Sequence, residues 1–204
     1  MPQVVKLGGS LAGTGQLRAW LAVLARAGRG RAVVVPGGGS FAEAVRDAQR
    51  AQGFDDAVAH RMALLAMEQY GLMLAGLEPV LLSADSVVQI ASTLKAQRVP
   101  VWMPSHMVLG GDDVPASWDA TSDTLAAWLA RVLGASSLIL VKSVRVTEPH
   151  ADAEELVRRG WVDPLFPRAA AGAGCPIRVL GSGDQAYLAR LLTGGAPAGL
   201  EVLP

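Results

Sequence analysis

The stretch Lys6-Leu7-Gly8-Gly9-Ser10 follows the apolar pair Val4-Val5, so an ammonium and a glycine pair stand where a short buried strand ends. In an open α/β sheet, that end of a strand is where ligands bind. Glycines there let backbone N–H groups approach an anion, and a lysine adds a compact positive charge suited to phosphate. The same construction recurs at Ala32 to Ser40, where Val33-Val34-Val35 runs into Pro36-Gly37-Gly38-Gly39-Ser40. Two such loops in one chain point to phosphate chemistry more strongly than either alone. Of the 18 basic residues only Lys6, Lys95 and Lys142 are lysines. A lysine kept among arginines marks a position that needs a rotatable ammonium instead of a planar fork. Lys6 and Lys142 both close predicted strands, whereas Lys95 reads as a solvated surface residue.

The elements that must position these groups alternate along the chain. Leu17, Trp20, Leu21 and Leu24 have helical spacing over 16–27, ended by Gly28 and Gly30. Strand 31–35 then leads through the second glycine loop to Ser40, a predicted N-cap for a helix over 41–50. Asp55 or Asp56 caps the next helix, residues 57–75, which is apolar nearly all round. That pattern implies burial on more than one side, and a homodimer through the Ala57 to Ala75 helix is expected. Strands follow at 79–82 and 99–103, with a helix from Ser86 between them. A polar loop over 110–115 precedes a helix opened by Trp118 to Asp123 and carrying Leu125, Trp128, Leu129 and Val132. Strand 137–141 ends on Lys142. The last quarter reads as helices over 153–159 and 165–171, a strand over 177–180 and a helix over 185–192. This order predicts a single α/β domain, a three-layer αβα sandwich with a mainly parallel central sheet.

Composition removes several classes. The chain has 204 residues, a net charge of zero and only 18% charged residues, so no nucleic-acid footprint is expected. Glu68, Glu78 and Asp85 interrupt the longest apolar stretch, and no basic cluster with an apolar segment opens the chain. Neither a membrane partner nor a secretory leader is expected. The single Cys175, unable to pair within the chain, fits a cytoplasmic protein. His60 reads as a capping or packing residue, since no second ligand sits at metal spacing. His106 and His150 fall in predicted loops. Taking Gly8 as the first glycine of a dinucleotide fingerprint puts Ser10 where the second belongs, and no Gly-Lys pair exists for a Walker loop.

Lys6-Leu7-Gly8-Gly9-Ser10, Pro36-Gly37-Gly38-Gly39 and Thr121-Ser122-Asp123-Thr124-Leu125-Ala126 resemble, in order, the signature segments of the amino acid kinase family. The resemblance covers roughly residues 3–142. It implies transfer of the ATP γ-phosphoryl to a phosphate or carboxylate of a small metabolite, with Mg2+ held mainly by the nucleotide phosphates and no protein metal ligand. It also implies an acceptor lobe over about 1–120 and a nucleotide lobe over about 121–204. By this resemblance Lys6 bridges the transferring oxygens, Gly8, Gly9 and Ser10 donate backbone N–H bonds to them, and Gly37, Gly38 and Gly39 hold the acceptor. Asp123 would orient the ammonium of Lys6 and that of Lys142. Without the resemblance, Asp119 and Asp123 read as helix-capping and first-turn carboxylates.

Segments 59–71 and 118–123 are most similar to the branch that makes the furan diphosphate precursor of methanofuran. That implies [5-(aminomethyl)furan-3-yl]methyl phosphate as acceptor, with Asp119, Thr121 and Ser122 on the substrate and the Asp119 carboxylate on its amine. The chain departs from the family pattern at two places. Lys142-Ser143-Val144-Arg145-Val146-Thr147 replaces the usual Thr-Asp-Val-Asp-Gly-Val-Tyr nucleotide segment. Asp163-Pro164-Leu165-Phe166-Pro167-Arg168 stands where Gly-Met-x-x-Lys supplies a second lysine, leaving Lys142 or Arg168 to replace that charge. The alternatives are a non-catalytic nucleotide-binding or scaffold member and a kinase for a carboxylate acceptor.

Overall fold

Short apolar strands build the sheet, and their alternating side chains feed two helix layers. The computed structural model describes residues 1–111 and 113–203; Asp112, in the expected 110–115 loop, and Pro204 lie outside the described residues. Strands β1 (Gln3–Leu7), β2 (Ala32–Pro36), β3 (Leu81–Ala84), β4 (Val99–Trp102), β5 (Ser137–Val141), β6 (His150–Asp152), β7 (Ile177–Leu180) and β8 (Leu200–Leu203) form one sheet in the order β3-β4-β2-β1-β5-β7-β8-β6. Adjacent strands are parallel except β7 against β8. The fold is therefore the expected αβα sandwich with a mainly parallel sheet.

Strand order reverses at β1, which has β2 on one side and β5 on the other. The register pairs Leu7 with both Pro36 and Val141, so the carboxyl ends of all three strands are level. A crevice at such a reversal is the usual ligand site of this architecture.

The helices are α1 (Leu17–Ala27), α2 (Gly39–Gln52), α3 (Asp56–Leu77), α4 (Val87–Lys95), α5 (Ser105–Val108), α6 (Ser122–Leu133), α7 (Ala153–Arg158), α8 (Phe166–Ala171) and α9 (Gln185–Leu192), with a 3-10 turn at Gly9–Thr14. On one sheet face Val4, Val33, Leu138 and Leu140 pack with Leu125 and Leu129 of α6 and Phe166 of α8. On the other, Val5, Val34 and Ile139 pack with Trp20 and Leu24 of α1 and Leu188 of α9. Helix α3 joins both cores, Leu64 and Met67 in the first and Tyr70 and Leu74 in the second. That double burial accounts for its nearly uniform apolar sequence.

The structure departs from the sequence-based expectation at several places. β3 starts at Leu81, because residues 79–80 form a turn in which Leu81 N–H bonds to the Glu78 carbonyl. α2 starts at Gly39 with Gly38 as N-cap and no side-chain cap bond, which puts Ser40 in the first turn. His106 lies in α5 and His150 opens β6, a short edge strand.

Candidate functional site

The period of two along a strand sets the site. Lys6 shares its face with Val4, and Lys142, one residue past β5, continues the line of Leu138 and Leu140. Both lysines therefore point toward α6, whose first turn presents Asp123. Lys142 Nζ donates to both Asp123 carboxylate oxygens at 2.7 Å, and Lys6 Nζ lies 2.9 Å from Oδ1. All three side chains are nearly buried, at 12%, 7% and 5% exposure for Lys142, Asp123 and Lys6.

Burial by itself raises the Asp123 carboxyl, but the Lys142 and Lys6 ammoniums reverse this and hold it below its ordinary value. Burial pushes Lys142 down to about 8 against the pull of Asp123, and the neighbouring Lys6 charge adds to the fall. One carboxylate thus holds two like charges together at the meeting of β1 and β5. The cluster retains net positive charge for an anion to neutralise.

The amino terminus of α6 is held by a residue that sequence reasoning missed. The buried Asp163 carboxylate accepts from the N–H and hydroxyl of Thr121, at 3.0 and 2.8 Å, and from the N–H of Thr124 at 3.1 Å, as well as from the Thr124 hydroxyl. These bonds satisfy N–H groups that an α-helix start leaves unpaired and fix the turn that carries Asp123. No local pattern announces a cap supplied from 39 residues away. The Thr121 hydroxyl is therefore engaged in this cap. Ser122 is buried and faces the cavity described below. Asp119 is exposed, is not among the residues lining that cavity, and its carbonyl accepts from Leu165 N–H.

The two glycine loops interlock. A Cβ on Gly9 would lie 2.1 Å from Gly39 N and 2.4 Å from its Cα, and one on Gly37 would lie 2.4 Å from Gly9 N. Gly39 adopts φ +55°, a conformation that favours glycine, with the Tyr70 ring against it. Gly8 donates its N–H to Val141 O at 3.1 Å, continuing the β1–β5 ladder. The N–H groups left at the loop are those of Gly9 and Ser10, which open the 3-10 turn and have no acceptor within it. Across the crevice the Ser10 and Ser143 hydroxyls lie 2.9 Å apart, joining the loops that follow β1 and β5.

Beside this junction opens a cavity of about 670 Å3. Gly9, Ser10, Gly38 and Gly39 line it at the loops, and Leu64, Met67 and Leu125 give it an apolar wall. Arg46, Asp56 and Trp118, gathered round Gln49 about three turns along α2 from Gly39, line the part away from the loops, with Glu43 between. His60 lines it as well, so its burial is in the cavity wall and not in the core. Of the two candidates for the second cation, Lys142 reaches Asp123. Arg168 is exposed and lines a separate cavity of about 480 Å3 with Trp128 and Arg131. The donor set does not fit a protein-held metal: Asp123 is shared by two lysines, and among the described residues no three His, Cys, Asp or Glu side chains come together. No helix among the described residues is long and apolar enough to cross a membrane.

A parallel α/β domain with two lysines on one carboxylate beside interlocked glycine loops is built to handle phosphate groups. The chain belongs to the amino acid kinase family, whose model matches residues 1–153. It is 27% identical over 144 residues to [5-(aminomethyl)furan-3-yl]methyl phosphate kinase of Methanocaldococcus jannaschii, across 69% of this chain and 65% of that protein. The chain thus spans slightly less than two thirds of that relative's length. Its fold is that of uridylate kinase from Archaeoglobus fulgidus, at a TM-score of 0.76 and 20% identity with both chains wholly covered. Isopentenyl phosphate kinase also shares the fold, at a TM-score of 0.64 and 15% identity over 99% of this chain and 100% of that one.

Proposed function

We propose that the protein transfers the γ-phosphoryl of ATP to a phosphomonoester, [5-(aminomethyl)furan-3-yl]methyl phosphate, in methanofuran-type cofactor synthesis in the cytoplasm. The observation that carries this reading is the pairing of Lys6 and Lys142 on Asp123, whose chain neighbour Ser122 lines the 670 Å3 cavity together with Gly9 and Ser10 of the loop after β1. An acceptor phosphate oxygen forms the new P–O bond while the bond to the ADP oxygen breaks. The acceptor phosphate is ionised at neutral pH, so no side chain need remove a proton. The reaction then needs positioning and charge neutralisation, which the two ammoniums and the Gly9 and Ser10 N–H groups supply. In this reading Gly37 to Gly39 shape the acceptor phosphate end, Ser122 borders it, and residues from about 121 onward form the nucleotide side. Magnesium arriving on the nucleotide phosphates would neutralise further charge; among the described residues no cluster of side chains forms a cage for it.

A non-catalytic reading is favoured by one feature, the segment after β5. Its Val144 carbonyl accepts from Ser182 N–H at 2.8 Å, and Gly181 packs against Val144 and Val146, in the segment whose sequence departs from the family pattern. The two readings separate in an assay of ADP release against phosphorylated and carboxylated acceptors. Acceptor-dependent ADP is expected with the phosphomonoester, and Lys6→Ala is expected to lower it by about 10²–10³-fold. A folded protein that releases no ADP with any acceptor would reject the kinase reading, and a preference for carboxylates would redirect it.

We further propose that the exposed flank of α3 pairs with a second copy of the chain. Val58, Leu65 and Leu72 are 45%, 51% and 59% exposed and recur every seven residues on one side of a helix that both cores already hold rigid. Light scattering is expected to give a dimer, and the double variant Leu65→Glu, Leu72→Glu a folded monomer. A wild-type monomer at micromolar concentration would refute the pairing.

A further inference from the structure

The end of the cavity remote from the glycine loops has a chemistry of its own. The Trp118 ring is fixed there: the Arg46 guanidinium lies 4.4 Å from its centroid, and its Nε1 donates to Gln49 Oε1 at 2.6 Å. Two carboxylates line the cavity beyond the loops. Glu43 is neutralised by Arg46 at 2.7 Å. Among the described residues Asp56, exposed and in the first turn of α3, pairs with no cation, and the neutral Gln49 amide donates to its Oδ1 at 2.9 Å. Nor is Asp56 needed as a cap, because Asp55 fills that role by accepting from Val58 N–H at 2.8 Å. One turn along α3, on the same face, His60 is 9% exposed and lines the cavity. Its ring makes no side-chain hydrogen bond among the described residues and keeps some access to the cavity, so its nitrogens are available to ligand atoms there.

We propose that Asp56 recognises a cationic amine at the end of the acceptor remote from its phosphate, with the fixed Trp118 ring packing on the acceptor's planar body. The assignment rests on the reading of this cavity as the phosphomonoester site. It moves the amine-binding role expected of Asp119 to a carboxylate that faces the cavity. A carboxylate–ammonium hydrogen bond discriminates against a neutral group of similar size by about tenfold or more.

Calorimetric titration without ATP, using [5-(aminomethyl)furan-3-yl]methyl phosphate and its hydroxymethyl counterpart, tests the assignment. Wild type is expected to bind the amine at least about tenfold more tightly. Asp56→Asn is expected to abolish that preference while changing the hydroxymethyl Kd less than about twofold, the outcome expected when a charged contact is removed and packing is kept. Equal binding of the two compounds by wild type, binding of neither, or a parallel loss of both in the variant would overturn it. ADP release, scored on the same samples, separates the two ideas. An amine preference without ADP release upholds the Asp56 site and rejects the kinase reading, and ADP release without a preference does the reverse.

Discussion

Asp123→Asn is expected to lower kcat by on the order of 10³-fold while Asp123→Glu retains more of it. The carboxylate is buried and both lysines lie within 2.9 Å, so the amide leaves two neighbouring ammoniums without their counter-charge. Removing one member of a buried ion pair costs about 3–5 kcal/mol, and in the kinase reading proposed above the loss falls on the groups assigned to the transferring phosphoryl. Charge also predicts the pH response. Lys142 sits at about 8, so kcat/KM, which reports the unliganded enzyme, should fall as pH rises through that value and the ammonium loses its proton. In the asparagine variant the attraction that raises Lys142 is gone, while burial and Lys6 still lower it, so the falling limb should move to lower pH. Bound nucleotide, being anionic, should move the kcat limb upward. Steady-state rates between pH 6 and 10, on the order of two units either side of the limb, would show both displacements; full activity with an unmoved limb in Asp123→Asn would contradict the assignment.

The same groups make stability rise with pH, each in its own window. Asp123 titrates below its usual 3.8 in the folded chain, so its contribution is present above that value and is lost as pH falls. Lys142 titrates below its usual 10.5, so between about 8 and 10.5 the unfolded chain binds more protons and stability from this group rises with pH.

Gly9→Ala is the second large effect. Its Cβ would meet the Gly39 backbone at 2.1 and 2.4 Å, and no rotamer change relieves a backbone collision. The loops must separate, at a cost of about 3 kcal/mol or more, the upper range for an overpacked site. Activity should fall with stability because the Gly9 N–H moves. Gly76→Ala in α3 is the contrast: its Cβ meets nothing within 4 Å, and a helical alanine should raise stability by about 0.5–1 kcal/mol. Urea denaturation of both variants checks this, and a Gly9→Ala protein as stable as its parent would show that the loops are not held together as described.

Much of the frame was readable from local pattern. Strands Ser137–Val141 and Ile177–Leu180 and helix Gln185–Leu192 fall where the apolar spacing puts them, since each is bounded by polar or glycine residues. The glycine loops were visible, but not that they touch each other, because sequence shows where a side chain is missing and not what fills the space. β6 and β8 escaped notice because His150–Asp152 has one apolar residue and Leu200–Leu203 is too short, beside the chain's end, to show a period. Asp163 was invisible for a different reason: its partners are brought together only by the tertiary fold. The helix start at Gly39 was misplaced because Ser40 fits the capping rule, yet the chain leaves that turn without a side-chain cap. Nor did the sequence show that Asp56, from the start of α3, lines the same cavity as Trp118.

The seam between Gly9 and Gly39 separates two kinds of evolutionary freedom. Main chain sits against main chain there, so the spacing between the sites on either side is written into the backbone and offers no side chain for mutation to retune. Trp118, Asp56 and Glu43 line the cavity beyond that seam, on the loop before α6, on α3 and on α2. In the kinase reading proposed above, acceptor preference can therefore drift through those side chains while the distance across which a phosphoryl group must move stays constant.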